Sequence, residues 1–94
     1  MQIEVQHDEQ THKYYALTDG MESVLKYSPA GERTLKFFST YVPPELRGRG
    51  IADEIVRVAL DDALEHGYKV IPTCWFVRAY MDRHPAKYQQ LRAG

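Results

Sequence analysis

From Val42 to Ala52 the chain reads Val-Pro-Pro-Glu-Leu-Arg-Gly-Arg-Gly-Ile-Ala, a stretch whose residue types could hold an anion. Gly48 and Gly50 remove Cβ atoms where the backbone must turn or approach a ligand closely. The helix expected after them begins with unpaired N–H groups and the positive end of its macrodipole. Arg47 and Arg49 add charge at the same place. This combination suits a phosphate or pyrophosphate. It departs from the common nucleotide-binding loops, because no Gly-Lys-Ser/Thr ending occurs and no glycine stands three residues after Gly50. A basic turn that merely starts a helix would use the same residues.

The second reactive group is Cys74, the one cysteine of the chain. It stands where a short apolar strand gives way to a helix, so the helix dipole should favour its thiolate. A lone cysteine is also commonly a small buried hydrophobe. With one cysteine, an internal disulfide and a two-cysteine metal site are excluded. His7 and His12 flank the first hairpin and read as surface residues. His66 ends the long helix, where a cation complements the dipole, and His84 precedes Pro85 and orders a break in the chain. No histidine pair has ligand spacing beside carboxylates, so no metal is expected. Tyr80, about one and a half turns beyond Cys74, either lines the same groove or belongs to the core. Tyr14, Tyr15, Phe37, Phe38 and Tyr41 read as sheet residues.

These groups need a scaffold, and the sequence supplies its outline. Gln2 to His7, Lys13 to Thr18, Met21 to Tyr27 and Arg33 to Val42 read as strands, with turns at Asp19-Gly20 and Ser28-Pro29-Ala30-Gly31 that imply antiparallel hairpins. From Arg49 to His66 the apolar residues follow a helical period, leaving Asp53, Arg57, Asp61 and Glu65 as a solvent stripe. Asp53, Arg57 and Asp61 alternate in sign at a spacing that supports the helix, and Gly67 ends it. Tyr68 to Thr73 is a strand reached by a helical crossover, so it should run parallel to Arg33–Val42. Pro72 cannot donate to a ladder and suits a strand whose neighbour has diverged. A helix over Trp75–Arg83 and a final turn over Ala86–Leu91 complete the order ββββαβα, an α+β sandwich with a mixed sheet.

Composition bounds the rest. Ninety-four residues, 44% hydrophobic and 27% charged, make a single domain spanning 1–94. A net charge of −1 argues against nucleic acid as a partner. Residues 1–32 hold two Lys/Arg against six Asp/Glu, while residues 33–94 hold ten against seven, so an acidic part precedes a basic one. No apolar run approaches a bilayer span, and the N-terminal residues lack the pattern of a secretory signal. A cytoplasmic monomer or weak dimer with no membrane partner is expected.

Arg47-x-x-Gly50-x-Ala52, following a strand and opening a long helix, resembles the R/Q-x-x-G-x-G/A signature of the GNAT N-acetyltransferase superfamily. There the loop amides hold the pyrophosphate of acetyl-coenzyme A. Leu46 to Ala52, then Val70-Ile71-Pro72-Thr73-Cys74, then Phe76-Val77, Tyr80 and His84-Pro85 resemble its short Yjdj-type subgroup, a likeness running from about Thr40 to Leu91. The resemblance implies a GNAT-like fold in which the strands Arg33–Val42 and Tyr68–Thr73 splay around the pantetheine arm. It implies acetyl-CoA binding by Thr40, Tyr41, Val42, Arg47, Gly48, Arg49, Gly50, Ile51, Ala52 and Tyr80. Amides near Thr40–Val42 would face the thioester oxygen if the strand bulges there. Cys74 would lie near the acetyl group, as nucleophile or proton donor. The implied activity is acetyl transfer to a primary amine, a protein lysine or a small molecule; the alternative is a non-enzymatic acyl-CoA-binding module. Trp75 departs from the small polar residue usual there, and either narrows the acceptor entrance or caps the core.

Overall fold

The computed structural model describes residues 3–93. Five strands, β1 (Gln6–Asp8), β2 (Lys13–Thr18), β3 (Met21–Pro29), β4 (Thr34–Tyr41) and β5 (Lys69–Pro72), form one sheet in the order β1-β2-β3-β4-β5. The first three junctions are antiparallel and β4–β5 is parallel. Helix α1 (Ile51–Glu65) makes the crossover, and α2 (Trp75–Arg83) and α3 (Pro85–Tyr88) follow β5, with a 3-10 turn at Gln89–Leu91. The GNAT-like α+β architecture expected from the sequence is present, with its mixed sheet and three helices.

Local chemistry sets these boundaries. Asp19 and Gly20 both take positive φ, 52° and 77°, the backbone a two-residue hairpin turn needs. At the end of α1, Gly67 adopts φ 73°, and the Tyr68 amide donates to the Ala63 carbonyl at 2.9 Å, closing a Schellman cap. Pairing of the first strand starts at Gln6 opposite Tyr15, later than expected. Ile3 and Val5 instead pack half-buried against the core, and Gln2 lies outside the described residues.

One face of α1 buries Ile51, Ile55, Val56, Ala59, Leu60 and Ala63 under the sheet residues Tyr14, Leu25, Tyr27 and Phe37. On its solvent stripe Arg57 pairs with Glu54 at 2.6 Å and Asp61 at 3.1 Å, while Asp53 pairs with Arg83 at 3.4 Å. Two phenols stitch the helix to its neighbours: Tyr14 donates to Asp62 at 2.6 Å and Tyr88 to Asp61 at 2.7 Å. His7 is a surface residue, as its sequence context suggests, but not one without partners. Its ring stacks on Tyr14 at 4.0 Å and shares a 2.6 Å hydrogen bond with the Tyr27 hydroxyl. Among the described residues, no helix is long and apolar enough to cross a membrane.

Partial burial pushes the Asp61 carboxyl up, but hydrogen bonds from Tyr88 and Lys87 outweigh it and hold the group below the ordinary aspartate range. A carboxyl lowered in the folded state stabilises the fold fully above its unfolded value, and that contribution fades as pH falls through the lowered one. Urea midpoints of the wild type should therefore drop on acidification below about pH 4. Asp61→Asn should show a shallower drop over the same interval.

Candidate active site

The site begins where two parallel strands part. Pairing of β4 with β5 ends at Phe37 opposite Pro72, yet β4 continues to Tyr41. Beyond Pro72 the Thr73 amide turns back to the Ile71 carbonyl at 3.2 Å. The Phe37 carbonyl then receives the Cys74 amide at 3.0 Å and the Thr73 hydroxyl at 3.1 Å. These bonds fix the point of divergence. Past it, the edge of β4 that faced β5 has no strand beside it, and a cleft of about 470 Å³ opens.

On one side of the cleft, β4 runs through Val42 into a 3-10 turn at Pro44–Leu46 and then the glycine loop. Leu46 and Ile51 are almost fully buried and pin both ends of the loop to the core. Gly48 and Gly50 take φ 84° and 78°, and a Cβ at either would meet nothing within 4 Å. Backbone conformation, rather than space, accounts for glycine there. Gly50 is the N-cap of α1 and offers no side-chain cap, so the first-turn amides keep their capacity to bind a ligand.

Arg47 donates to the Val42 carbonyl at 2.8 Å and lies over the Tyr41 ring at 5.8 Å, which closes the neck of the loop. The carboxylates of the first helical turn, Asp53 and Glu54, are engaged by Arg83 and Arg57. The helix end therefore keeps its favourable field for an anion.

Opposite the loop, Cys74 is the N-cap residue of α2, half-buried, and its Sγ does not bond that helix. The sulfur instead shares a 3.3 Å hydrogen bond with the Thr40 hydroxyl. Arg78 donates to the Pro72 and Thr73 carbonyls at 3.3 and 3.4 Å, bracing the strand end behind the cysteine.

Thr40, Tyr41, Val42, Arg47, Gly48, Gly50, Ile51, Ala52 and Cys74 thus share one cleft. Arg49 does not line it; it reaches Asp19 at 3.5 Å and the Glu45 carbonyl at 3.4 Å. Tyr80 is buried elsewhere, with its ring 4.6 Å from His84 and 5.9 Å from Tyr88. Burial holds its phenol above the ordinary tyrosine range. The bulge also falls earlier than expected. The register shifts between Lys26 and Tyr27, leaving Phe38 as the extra residue, while Thr40 and Tyr41 pair regularly with Leu25 and Val24. Leu46, Asp53, Trp75 and Phe76 line the cleft as well. Leu46 had a signal, a single apolar residue inside a polar loop. Asp62, Glu65 and His66 bring ligand atoms within 4.8 Å of one another toward the far end of α1, outside this cleft.

The cleft thus sets a glycine loop that opens a helix beside a splayed parallel pair, with a thiol at the divergence. The family described as GCN5-related N-acetyl-transferase matches residues 13–91, and the chain belongs to it. Protein NATD1 of mouse is 35% identical over 85 residues, covering 88% of this chain and 77% of that one. Human Protein NATD1 is 34% identical over 85 residues, covering 88% and 75%. The NMR structure of a GCN5-like protein from Staphylococcus aureus superposes with a TM-score of 0.74 at 22% identity, covering 97% of this chain and 88% of that one. That likeness shows the fold.

Gly50→Asp, set against Gly50→Asn at the same positive φ, separates charge from strain. Aspartate enters the left-handed region more readily than most residues, and the added side chain meets no neighbour within 4 Å. The domain should stay folded by circular dichroism. Calorimetric affinity for coenzyme A should fall at least about tenfold through carboxylate–phosphate repulsion.

Proposed function

We propose that this chain is an acetyl-CoA-dependent N-acetyltransferase of the short Yjdj type, moving the acetyl group to a primary amine on a protein lysine or a small molecule. The observation that carries the reading is the cleft itself, where an uncapped helix end and glycine loop face a cysteine across the gap between β4 and β5. Family membership supports the reaction class. The Pro72-Thr73-Cys74 strand end supports the subgroup.

In this reading the amides of Gly48 to Ala52 hold the pyrophosphate, as helix N-termini hold anions generally. The pantetheine arm follows the unpaired edge of β4 toward Thr40 and Cys74. Backbone N–H groups on that edge stabilise the oxyanion as the thioester carbon becomes tetrahedral. The amine nitrogen forms the new N–C bond, the C–S bond breaks, and the amine's proton passes to solvent. The Cys74 thiol gives its proton to the departing coenzyme thiolate and regains one from water. Alternatively, Cys74 as thiolate attacks first, expels the coenzyme thiolate, and is released when the amine takes the acetyl group. Thr40, hydrogen-bonded to Sγ, orients the sulfur in both routes.

Cys74→Ala should lower turnover by roughly a hundredfold or more while leaving calorimetric affinity for acetyl-CoA within about a factor of two. Acetate found on Cys74 by mass spectrometry after incubation without amine selects the covalent route. Undiminished turnover in the variant removes Cys74 from the chemistry.

A further inference from the structure

Helices α1, α2 and α3 share one core and pack on one face of the sheet, that of Tyr14, Leu25, Tyr27 and Phe37. Side chains alternate along a strand, so the register fixes what the opposite face carries. Two rows cross its centre. Tyr15, Val24 and Tyr41 stand side by side on β2, β3 and β4, and Lys13, Lys26 and Ser39 form the next row. Leu17 extends the line of β2, and Lys36 joins the face opposite Ser28. Leu17, Phe38 and Tyr41 are 61%, 47% and 50% exposed. Phe38 leaves the core at the bulge and does not line the cleft, so its ring belongs to this open face. Trp75, the other large apolar residue exposed among those described, lines the cleft rather than capping the core.

This face is also cationic, within a chain whose net charge is −1. Lys13 and Lys26 stand directly opposite each other, a pairing of like charges that weakens a sheet. Lys13 leans over the Tyr15 ring, 4.9 Å from its centre, and reaches Glu22 at 3.0 Å. Asp8, opposite Lys13, accepts the amides of Gln10 and Thr11 instead. Lys26 and Lys36 are exposed and, among the described residues, have no ion-pair partner. At the corner beside the cleft, Arg47 lies 5.8 Å over Tyr41. Basic and aromatic side chains thus alternate from strand to strand, although no single segment of the sequence shows that pattern. Rings left this far in water forgo hydrophobic stabilisation unless something covers them.

We propose that the open sheet face binds a single-stranded nucleic acid, with bases stacked on Phe38 and Tyr41 and phosphates held at Lys26 and Lys36. The surface lies outside the coenzyme cleft but for Tyr41 at its border, so the proposal does not rest on the acetyltransferase reading. The occupant follows from what the face lacks. Its unpaired lysines call for an anion, and its exposed rings call for flat apolar groups beside that anion. A single strand brings both, because its bases are free to stack while its phosphates stay in reach. An acidic peptide would satisfy the lysines and leave the rings bare. A second copy docked face to face would set lysines against lysines.

Fluorescence anisotropy of labelled RNA and DNA strands of about ten nucleotides should show saturable binding to the whole chain. Log affinity should fall against log salt with a slope of about −1.4 to −2.1, the value for two or three phosphates on a single strand. Lys26→Gln and Lys36→Gln should each flatten that slope by about 0.7. Phe38→Ala should weaken binding about five- to a hundredfold with the slope unchanged, and Phe38→Tyr should keep most of the affinity. Saturating coenzyme A should leave the strand in place.

Failure of both strands to bind at low salt would overturn the proposal. So would a duplex of the same sequence that binds as tightly, since its bases are not free to stack. Displacement by coenzyme A would put the strand in the cleft, and equal competition by polyglutamate would mark the face as a site for an acidic peptide. Self-association that is lost in Phe38→Ala would give the face to a second copy.

Discussion

The structure turns on one carbonyl. Phe37 O ends the β4–β5 ladder by accepting from the Cys74 amide and the Thr73 hydroxyl together. The cause is a local turn: Thr73, whose amide is next in line to donate to β4, turns back to the Ile71 carbonyl, and the Cys74 amide takes its place. The chain turns at Thr73 and starts α2 at once, with its N-cap cysteine against β4. Had β5 carried on, its backbone would fill the cleft. One amide turned back at Thr73 thus becomes a gap between strands and a thiol at its apex.

The remaining architecture holds the opposite wall of that gap in register. Loop residues with left-handed backbone are poor anchors alone, and the loop would fray without Leu46 and Ile51 buried on either side of it. The other part of α1 is tied down by polar bonds, through Tyr14 to Asp62 and Tyr88 to Asp61. These partly buried contacts to carboxylates are each worth about 1.5–3 kcal/mol. The helix therefore keeps its N-terminus free for a ligand and concentrates its fixed contacts elsewhere. The charges follow the same division: arginines satisfy Asp53 and Glu54 near the loop, while tyrosines, lysine and histidines surround Asp61 and Asp62.

Much of this was legible in the residues because the signals were local. The Asp19-Gly20 turn, the helical period of α1, its glycine stop and the proline in β5 each follow from one or two residues' conformational limits. Relations between distant residues were not legible. His7 reads as a surface residue and is one, but the partners that the sheet brings to its ring, Tyr14 and Tyr27, lie too far along the chain to be read from it. Arg49 reads as a ligand-facing cation until the β2–β3 turn places Asp19 within 3.5 Å. Tyr80 shares a helix with the cleft residues, but its face is set by His84 and Tyr88, which pack beside it only after the chain breaks at Pro85. The bulge at Phe38 is a matter of register between β3 and β4, which no single strand encodes.

The central claim is that main-chain amides of the glycine loop and first helical turn receive a diphosphate. Titrating the 15N-labelled protein with coenzyme A and following backbone amide shifts tests it most directly. The account predicts the largest displacements at Gly48, Gly50, Ile51 and Ala52, smaller ones at Thr40 and Cys74, and almost none around His7 and Asp62. Shifts centred on the Asp62 cluster, or a spectrum unchanged at millimolar coenzyme, would contradict it.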